Sequence, residues 1–257
     1  MTENEQKAPV AIITGAGSGV GEATATMLLA CGWNVVLVGR RPEVLARVAG
    51  SSSNSLVVSV DLGVNGAALE VVGATLRRFA RIDALINNAG DASAVSISET
   101  TPEVFAAMHA VNVLAPAALI HHAWPALVAT RGVVVNVSSM ASIDPFDGFF
   151  AYSSSKAALN ALTVSAAKEG AAVGVRAFTV SPGVIDTPMH ARLVGSTPMP
   201  SDAKLPAASV ADVIVRCIDG RFDGYEGDVL AVVPPAAKER LRSWGRANPS
   251  GRVIEVD

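Results

Sequence analysis

Val10-Ala11-Ile12-Ile13-Thr14-Gly15-Ala16-Gly17-Ser18-Gly19-Val20-Gly21 is the stretch that decides the fold. A short apolar, β-branched run enters a glycine cluster. From Glu22 to Cys31 small and apolar residues then recur at helical spacing, and Gly32 closes them. The pattern predicts a strand, a tight turn and a helix. Side chains at 15, 19 and 21 would keep the backbone from approaching a pyrophosphate, and a helix N-terminus offers N–H groups and a positive dipole end. The loop reads as a nucleotide cradle formed by Gly15, Ser18, Gly19, Val20 and Gly21. A plain turn also uses glycines. The place of this cluster, at the end of a first strand, gives it weight.

Outward from the loop the same alternation continues. Strands are predicted at Asn34–Val38, Leu56–Val60, Ala84–Ile86, Val133–Val137, Val175–Val180 and Val229–Val233. Between them lie helices at Pro42–Ala49, with proline at its first position, at Ala67–Phe79, and at Tyr152–Glu169. Pro102–Thr130 is helical throughout, with a bend expected at Pro116. The strands are apolar along their length, as in a sheet covered on both faces. Strand–helix alternation predicts an α/β, doubly wound, mostly parallel sheet in a single domain, its ligand crevice at the carboxyl ends of the strands. That domain spans 1–257, with a polar N-terminal arm at 1–8 and a polar C-terminal tail at 234–257. The proline-rich stretch 182–206 is the candidate for a long mobile segment.

Composition narrows the function. The chain has 257 residues, 50% hydrophobic and 17% charged, so it is not a disordered chain. Lys plus Arg is 20 against 23 Asp plus Glu, a net charge of −3 with no basic block, which argues against nucleic acid as a partner. Cys31 and Cys217 make neither a disulfide framework nor a zinc site, and His109, His121, His122 and His190 lack ligand spacing. No metal is expected. The first residues carry no apolar core of a signal peptide, and no 18-residue stretch is continuously apolar. The expectation is a cytoplasmic protein with no membrane partner.

Tyr152 and Lys156 stand four apart at a helix start and project from one face. Asn136-Val137-Ser138-Ser139 ends the preceding strand, with Ser139 13 residues before Tyr152, and Asn112 lies 27 residues before Ser139. A free phenol, with a pKa of about 10, is a poor base near neutrality. An adjacent ammonium favours the phenolate. A serine hydroxyl can hold the oxygen that gains or loses the proton, and an asparagine can fix a water that passes it to bulk. Each residue alone also has a bland reading, as a helix-start aromatic, a solvated lysine, a strand-end hydroxyl or a helix hydrogen bonder.

Taken together, these residues resemble the short-chain dehydrogenase/reductase family over nearly the whole chain. The family's TGxxxGxG stands at Thr14–Gly21 and its NNAG at Asn87-Asn88-Ala89-Gly90. Its catalytic Asn, Ser, Tyr and Lys fall on Asn112, Ser139, Tyr152 and Lys156, and its Pro-Gly on Pro182-Gly183, followed by Ile185 and Thr187. The resemblance implies a Rossmann-type domain that moves hydride between a nicotinamide and an alcohol or carbonyl. Tyr152 would be the acid/base and Ser139 would orient the substrate. Lys156 would bind the ribose and lower the tyrosine pKa, and Asn112 would complete the relay. Asn88, Ala89, Gly90, Tyr152, Lys156, Pro182, Gly183, Ile185 and Thr187 would join the glycine loop in holding the cofactor. One departure is the C-terminus, where Val233 leads into Pro234-Pro235 and a polar tail containing Trp244. That tail would cover the pocket, cover a subunit face, or be disordered.

The second strand ends Val38-Gly39-Arg40-Arg41. An acidic residue there would hold the ribose 2′-hydroxyl of NAD, and Gly39 cannot. Arg40 and Arg41 suit a 2′-phosphate, so NADP is expected rather than NAD; in the resembling family this pattern usually goes with NADP. The bland reading is a solvated arginine pair. Asp61 and Leu62 would sit at the adenine. Ile143, Phe146, Phe149, Phe150, Met189, Leu193 and Met199 predict an apolar pocket for a small-molecule alcohol or ketone. A 3-oxoacyl-thioester reductase would want basic residues at the mouth, where Arg192 is the clear candidate. A non-catalytic dinucleotide-binding regulator would usually have lost the tyrosine or lysine. Leu162 and the small residues Ala117, Ala118, Ala158, Ala161, Ala166 and Ala167 on the outer faces of the two long helices predict a homodimer or homotetramer.

Overall fold

A computed structural model of the chain describes residues 8–194, 200–247 and 253–256. The first seven residues of the N-terminal arm, and Met199, lie outside them. In chain order the strands are β1 (Val10–Thr14), β2 (Asn34–Gly39), β3 (Ser55–Ser59), β4 (Ala84–Asn87), β5 (Val133–Val137), β6 (Arg176–Pro182), β7 (Val229–Val232) and β8 (Val253–Val256). Helices are α1 (Gly19–Ala30), α2 (Pro42–Ala49), α3 (Ala67–Phe79), α4 (Pro102–His109), α5 (Ala115–Thr130), α6 (Phe150–Ala171), α7 (Pro188–Val194), α8 (Ala207–Ile218) and α9 (Lys238–Ala247).

The sheet runs β3-β2-β1-β4-β5-β6-β7-β8, and every pairing is parallel. The order reverses between β1 and β4, which opens a crevice at their carboxyl ends. The strand period of two feeds two cores. Ala11 and Ile13 face the layer of α1, α2 and α8, with Leu28, Leu45 and Ile214. Val10 and Ile12 face the layer of α3, α5 and α6, with Val71, Leu119 and Leu127. Coverage on both faces is why these strands read as unbroken apolar runs.

The C-terminal tail is ordered where it is described, which sets aside the disordered reading of it. Pro234 and Pro235 break the chain after β7, α9 follows, and β8 adds a further parallel strand. In the long helix a π segment, Ala110–Leu114, separates α4 from α5 just before Pro116, which has no N–H to donate back into that segment. Ala166 and Ala167 are not on an outer face, because they pack into the second core. Within 182–206, the described part holds α7 and a bridge from Ile185 to Leu205.

Candidate active site

The glycine loop is built around the first turn of α1. Ser18, at the N-cap, is extended (φ −161°, ψ 162°), and its side chain makes no capping bond, so the helix's first N–H groups face outward. Gly19 has φ +57°, and a Cβ there would lie 2.9 Å from Thr187 Cγ2. Gly21 serves packing rather than contact, for a Cβ there would strike the Gly15 carbonyl and the Asn88 amide. The loop is braced by the residues after β4. Thr14 Oγ1 accepts from the backbone N–H groups of Asn88 and Ala89, both at 2.9 Å, and Asn88 Nδ2 donates to Thr14 O at 2.8 Å.

A cavity of about 710 Å³ runs from this loop to the end of β5 and on to α7 and α9. Gly15, Ser18, Gly19, Val20, Asn88, Ala89, Gly90, Ser139, Tyr152, Lys156, Pro182, Gly183, Ile185 and Thr187 all line it. Gly21 and Asn112 stand behind the wall. Arg40, Arg41, Asp61 and Leu62 are off the cavity, beyond the ends of β2 and β3. Arg40, Arg41 and Asp61 are exposed, and Asp61 Oδ1 accepts from its own turn at Gly63 N, 2.9 Å.

The reactive groups meet at the start of α6. Ser139 and Tyr152 both line the cavity, and the Ser139 hydroxyl accepts from Ala141 N at 3.1 Å. Lys156 is 4% exposed. Its Nζ donates to Val137 O at 2.9 Å and lies 5.9 Å from the centroid of the Tyr152 ring. Ser138 Oγ donates to Lys156 O at 3.2 Å and ties helix to strand. Gly90 keeps the approach open, since a Cβ there would lie 3.2 Å from Asn112 Oδ1 and 3.3 Å from Lys156 Nζ.

Asn112 is fully buried in the π segment. Its Nδ2 donates to Asp91 O and to Ser155 Oγ, both at 2.9 Å, and its Oδ1 accepts from Asp91 N at 2.8 Å. Both side-chain N–H groups are therefore committed to the scaffold, which leaves one Oδ1 lone pair for a water. Ser155, which pins Asn112 to α6, was not singled out from the sequence.

Burial governs the electrostatics. It pushes the Tyr152 phenol above its ordinary range, with the Ser139 hydroxyl pulling the other way, and it lowers the Lys156 ammonium to about 8. The sequence led us to expect lysine to lower the tyrosine; in the bare protein desolvation dominates both. Lys156 has a folded pKa of about 8 against 10.5 for the free group. Between those values the unfolded chain binds the extra proton, so this group makes stability rise with pH across that window. Lys156→Met, which buries no charge, is therefore expected to be more stable than the parent below pH 8. The advantage is on the order of 3 kcal/mol before the lost hydrogen bond is subtracted, and it shrinks toward pH 10. Denaturant unfolding of both proteins across this range checks it.

The substrate end of the cavity is apolar. Of the residues expected there, Phe146, Phe149, Met189 and Leu193 line it, joined by Met140, Val233, Leu241 and Trp244. Ile143 and Phe150 do not line it, and Phe150 is 49% exposed beside Phe105. Asp144, Arg240 and Leu241 were missed from the sequence, which named Trp244 only as part of a tail that would cover the pocket. The apolar spacing Leu241–Trp244, flanked by charges, is the helical signal that pointed to them.

The cavity suits a dinucleotide. An uncapped helix N-terminus lies at one end and a buried ammonium beyond it, with Gly90 between them, where a side chain would fill the space.

Comparison with known proteins agrees. Residues 9–196 match the short chain dehydrogenase family. An uncharacterized oxidoreductase of Staphylococcus epidermidis is 33% identical over 214 residues, covering 82% of this chain and 91% of the relative. The 2-(R)-hydroxypropyl-CoM dehydrogenase of Xanthobacter autotrophicus is 39% identical over 192 residues, covering 70% and 76%. The 3-ketoacyl-(acyl-carrier-protein) reductase of Brucella melitensis, solved with NADH, superposes with a TM-score of 0.79 at 27% identity, covering 87% of this chain and 96% of that one. The Thr14–Gly21 loop, the buried lysine beneath Tyr152 and these matches lead to one assignment: the chain belongs to the short-chain dehydrogenase/reductase family, a group of NAD(P)-binding oxidoreductases with a Rossmann-type fold.

Proposed function

We propose that this protein interconverts an alcohol and a carbonyl on a moderately apolar small molecule, with NADP(H) as the partner dinucleotide. The observation that carries the reading is the meeting of Ser139, Tyr152 and buried Lys156, its Nζ 5.9 Å from the Tyr152 ring centroid, in one cavity continuous with the glycine loop. The bound nicotinamide supplies or accepts the hydride. In reduction, Ser139 hydrogen-bonds the carbonyl oxygen and Tyr152 gives that oxygen its phenolic proton. The Lys156 ammonium stabilises the phenolate left behind. In oxidation the phenolate takes the proton from the alcohol. Asn112 holds Asp91 and α6 in register around the site. A screen of ketones and alcohols, read by the absorbance of reduced nicotinamide, tests this. Turnover of apolar ketones is expected, and a protein that binds the dinucleotide yet turns over none would refute it.

The preference for NADP rests on β2. Arg40 and Arg41 make no side-chain hydrogen bond or ion pair among the described residues, and both are exposed beside Gly39. Two free guanidiniums at this place favour a 2′-phosphate. A second reading, a 3-oxoacyl-thioester reductase, is favoured by Arg192, which lines a smaller cavity of about 330 Å³ with Asp91 and Ser93, next to Leu193 of the main one. The same screen with a 3-oxoacyl thioester separates the two.

We also propose a homo-oligomer. Pro102–Thr130 is long and apolar enough to cross a membrane by composition, with a window of mean hydropathy 1.6, yet Leu119, Ala123 and Leu127 pack into the core. Leu114, Phe150 and Val164 remain 65%, 49% and 36% exposed on this helical layer. A second copy laid against α4, α5 and α6 would cover them. Sedimentation should give a dimer or tetramer at micromolar concentration, and a monomer would refute the proposal.

A further inference from the structure

We infer that Asp144 and Arg240 form a specificity-determining clasp that sets how long a substrate the cavity accepts, an inference that rests on the oxidoreductase reading above. Arg240 lies on α9 and Asp144 in the loop between β5 and α6, 96 residues apart. Arg240 Nε donates to Asp144 Oδ2 at 2.6 Å, and Nη2 lies 2.6 Å from the same oxygen. Both residues line the cavity, so the pair joins two of its walls. The guanidinium also sits 5.5 Å from the centroid of Phe146. From Phe146 a row of rings leads inward, 6.3 Å to Phe149 and 5.8 Å from there to Tyr152. The clasp therefore closes the apolar end of the same space that holds the acid/base.

The other side of α9 is anchored separately. Glu255 of β8 accepts from Arg242 Nε at 2.9 Å and Nη2 at 3.0 Å, with Lys238 Nζ at 3.5 Å. Among the described residues, β8 thus holds the helix at its rear, and the Arg240–Asp144 pair ties its front to the loop after β5. The front pair is a weak hold, because Arg240 and Asp144 are 64% and 31% exposed and open to screening by salt. A contact that must part for a long substrate needs that weakness. A solvated surface pair would look alike in charge, but it would not line the cavity or stack on its rings.

The test uses methyl ketones from butanone to decanone. Their affinities are measured by calorimetry on the NADP-loaded protein, and their kcat/KM with NADPH. Arg240→Gln and Asp144→Asn should each shift the preference toward the longer ketones by about five-fold, the size that an exposed ion pair supplies. The charge swap Asp144→Arg with Arg240→Asp should bring the preference back to within about two-fold of the parent. An unchanged preference in both single variants, or a swap no better than the singles, overturns the clasp. So does a series that no variant binds. Ketones that bind with the expected shifts but are not reduced leave the clasp standing and refute only the oxidoreductase reading.

Discussion

Tyr152→Phe is expected to lower kcat/KM for ketone reduction by about 10²- to 10⁴-fold, far more than the loss of one hydrogen bond lowers its cofactor affinity. The variant removes one buried oxygen and its proton. Ser139 keeps its bond from Ala141 N, so the loop after β5 retains its brace. The ring remains packed against Phe149. The loss should therefore fall on kcat, with unfolding midpoints close to the parent's. Steady-state kinetics beside a dinucleotide titration checks both halves. A parental rate would remove Tyr152 from the chemistry.

Replacing Arg40 and Arg41 by alanine should weaken NADP(H) binding by about ten-fold or more and leave NAD(H) nearly untouched. Only NADP carries the 2′-phosphate whose charge-assisted hydrogen bonds are lost. Both arginines are exposed, so salt should shrink the effect. Gly39→Asp pushes the same way, by repelling the phosphate and offering an acceptor to a 2′-hydroxyl. Room exists for it, since a Cβ at Gly39 meets Leu45 at 3.4 to 3.9 Å, ordinary contact. Titration of the parent with NADPH and NADH settles the premise. Tighter binding of NADH at moderate salt would return the arginines to a solvated pair.

What could be read from the sequence follows what each residue needs. The glycine loop was legible because its backbone contacts forbid side chains, as the Cβ positions at Gly19 and Gly21 show. The β1–β7 strands were legible because burial on both faces demands apolar runs. Tyr152 and Lys156 were legible because one helix carries both. The C-terminal wall was not. Val253–Val256 has its apolar run broken by Glu255, and α9 is rich in charge, with Leu241 and Trp244 as its apolar side. The π segment was hidden because Pro116 offered a simpler reason for a bend. Ala166 and Ala167 misled because alanine suits a sheet-facing position as well as a helix–helix contact. The reversal of pKa cause at Tyr152 was invisible because it depends on how much surface the fold covers.

In the proposed reaction, hydride passes between the nicotinamide and a carbonyl carbon held at Ser139 and Tyr152. The most direct measurement gives the protein NADPH deuterated at the transferring position together with a ketone that it turns over, and examines the alcohol by mass spectrometry and NMR. The account predicts a single deuterium on the carbinol carbon, at one face only, and almost none formed by Tyr152→Phe in the same time. An alcohol without deuterium, or equal labelling with Phe at position 152, would contradict it.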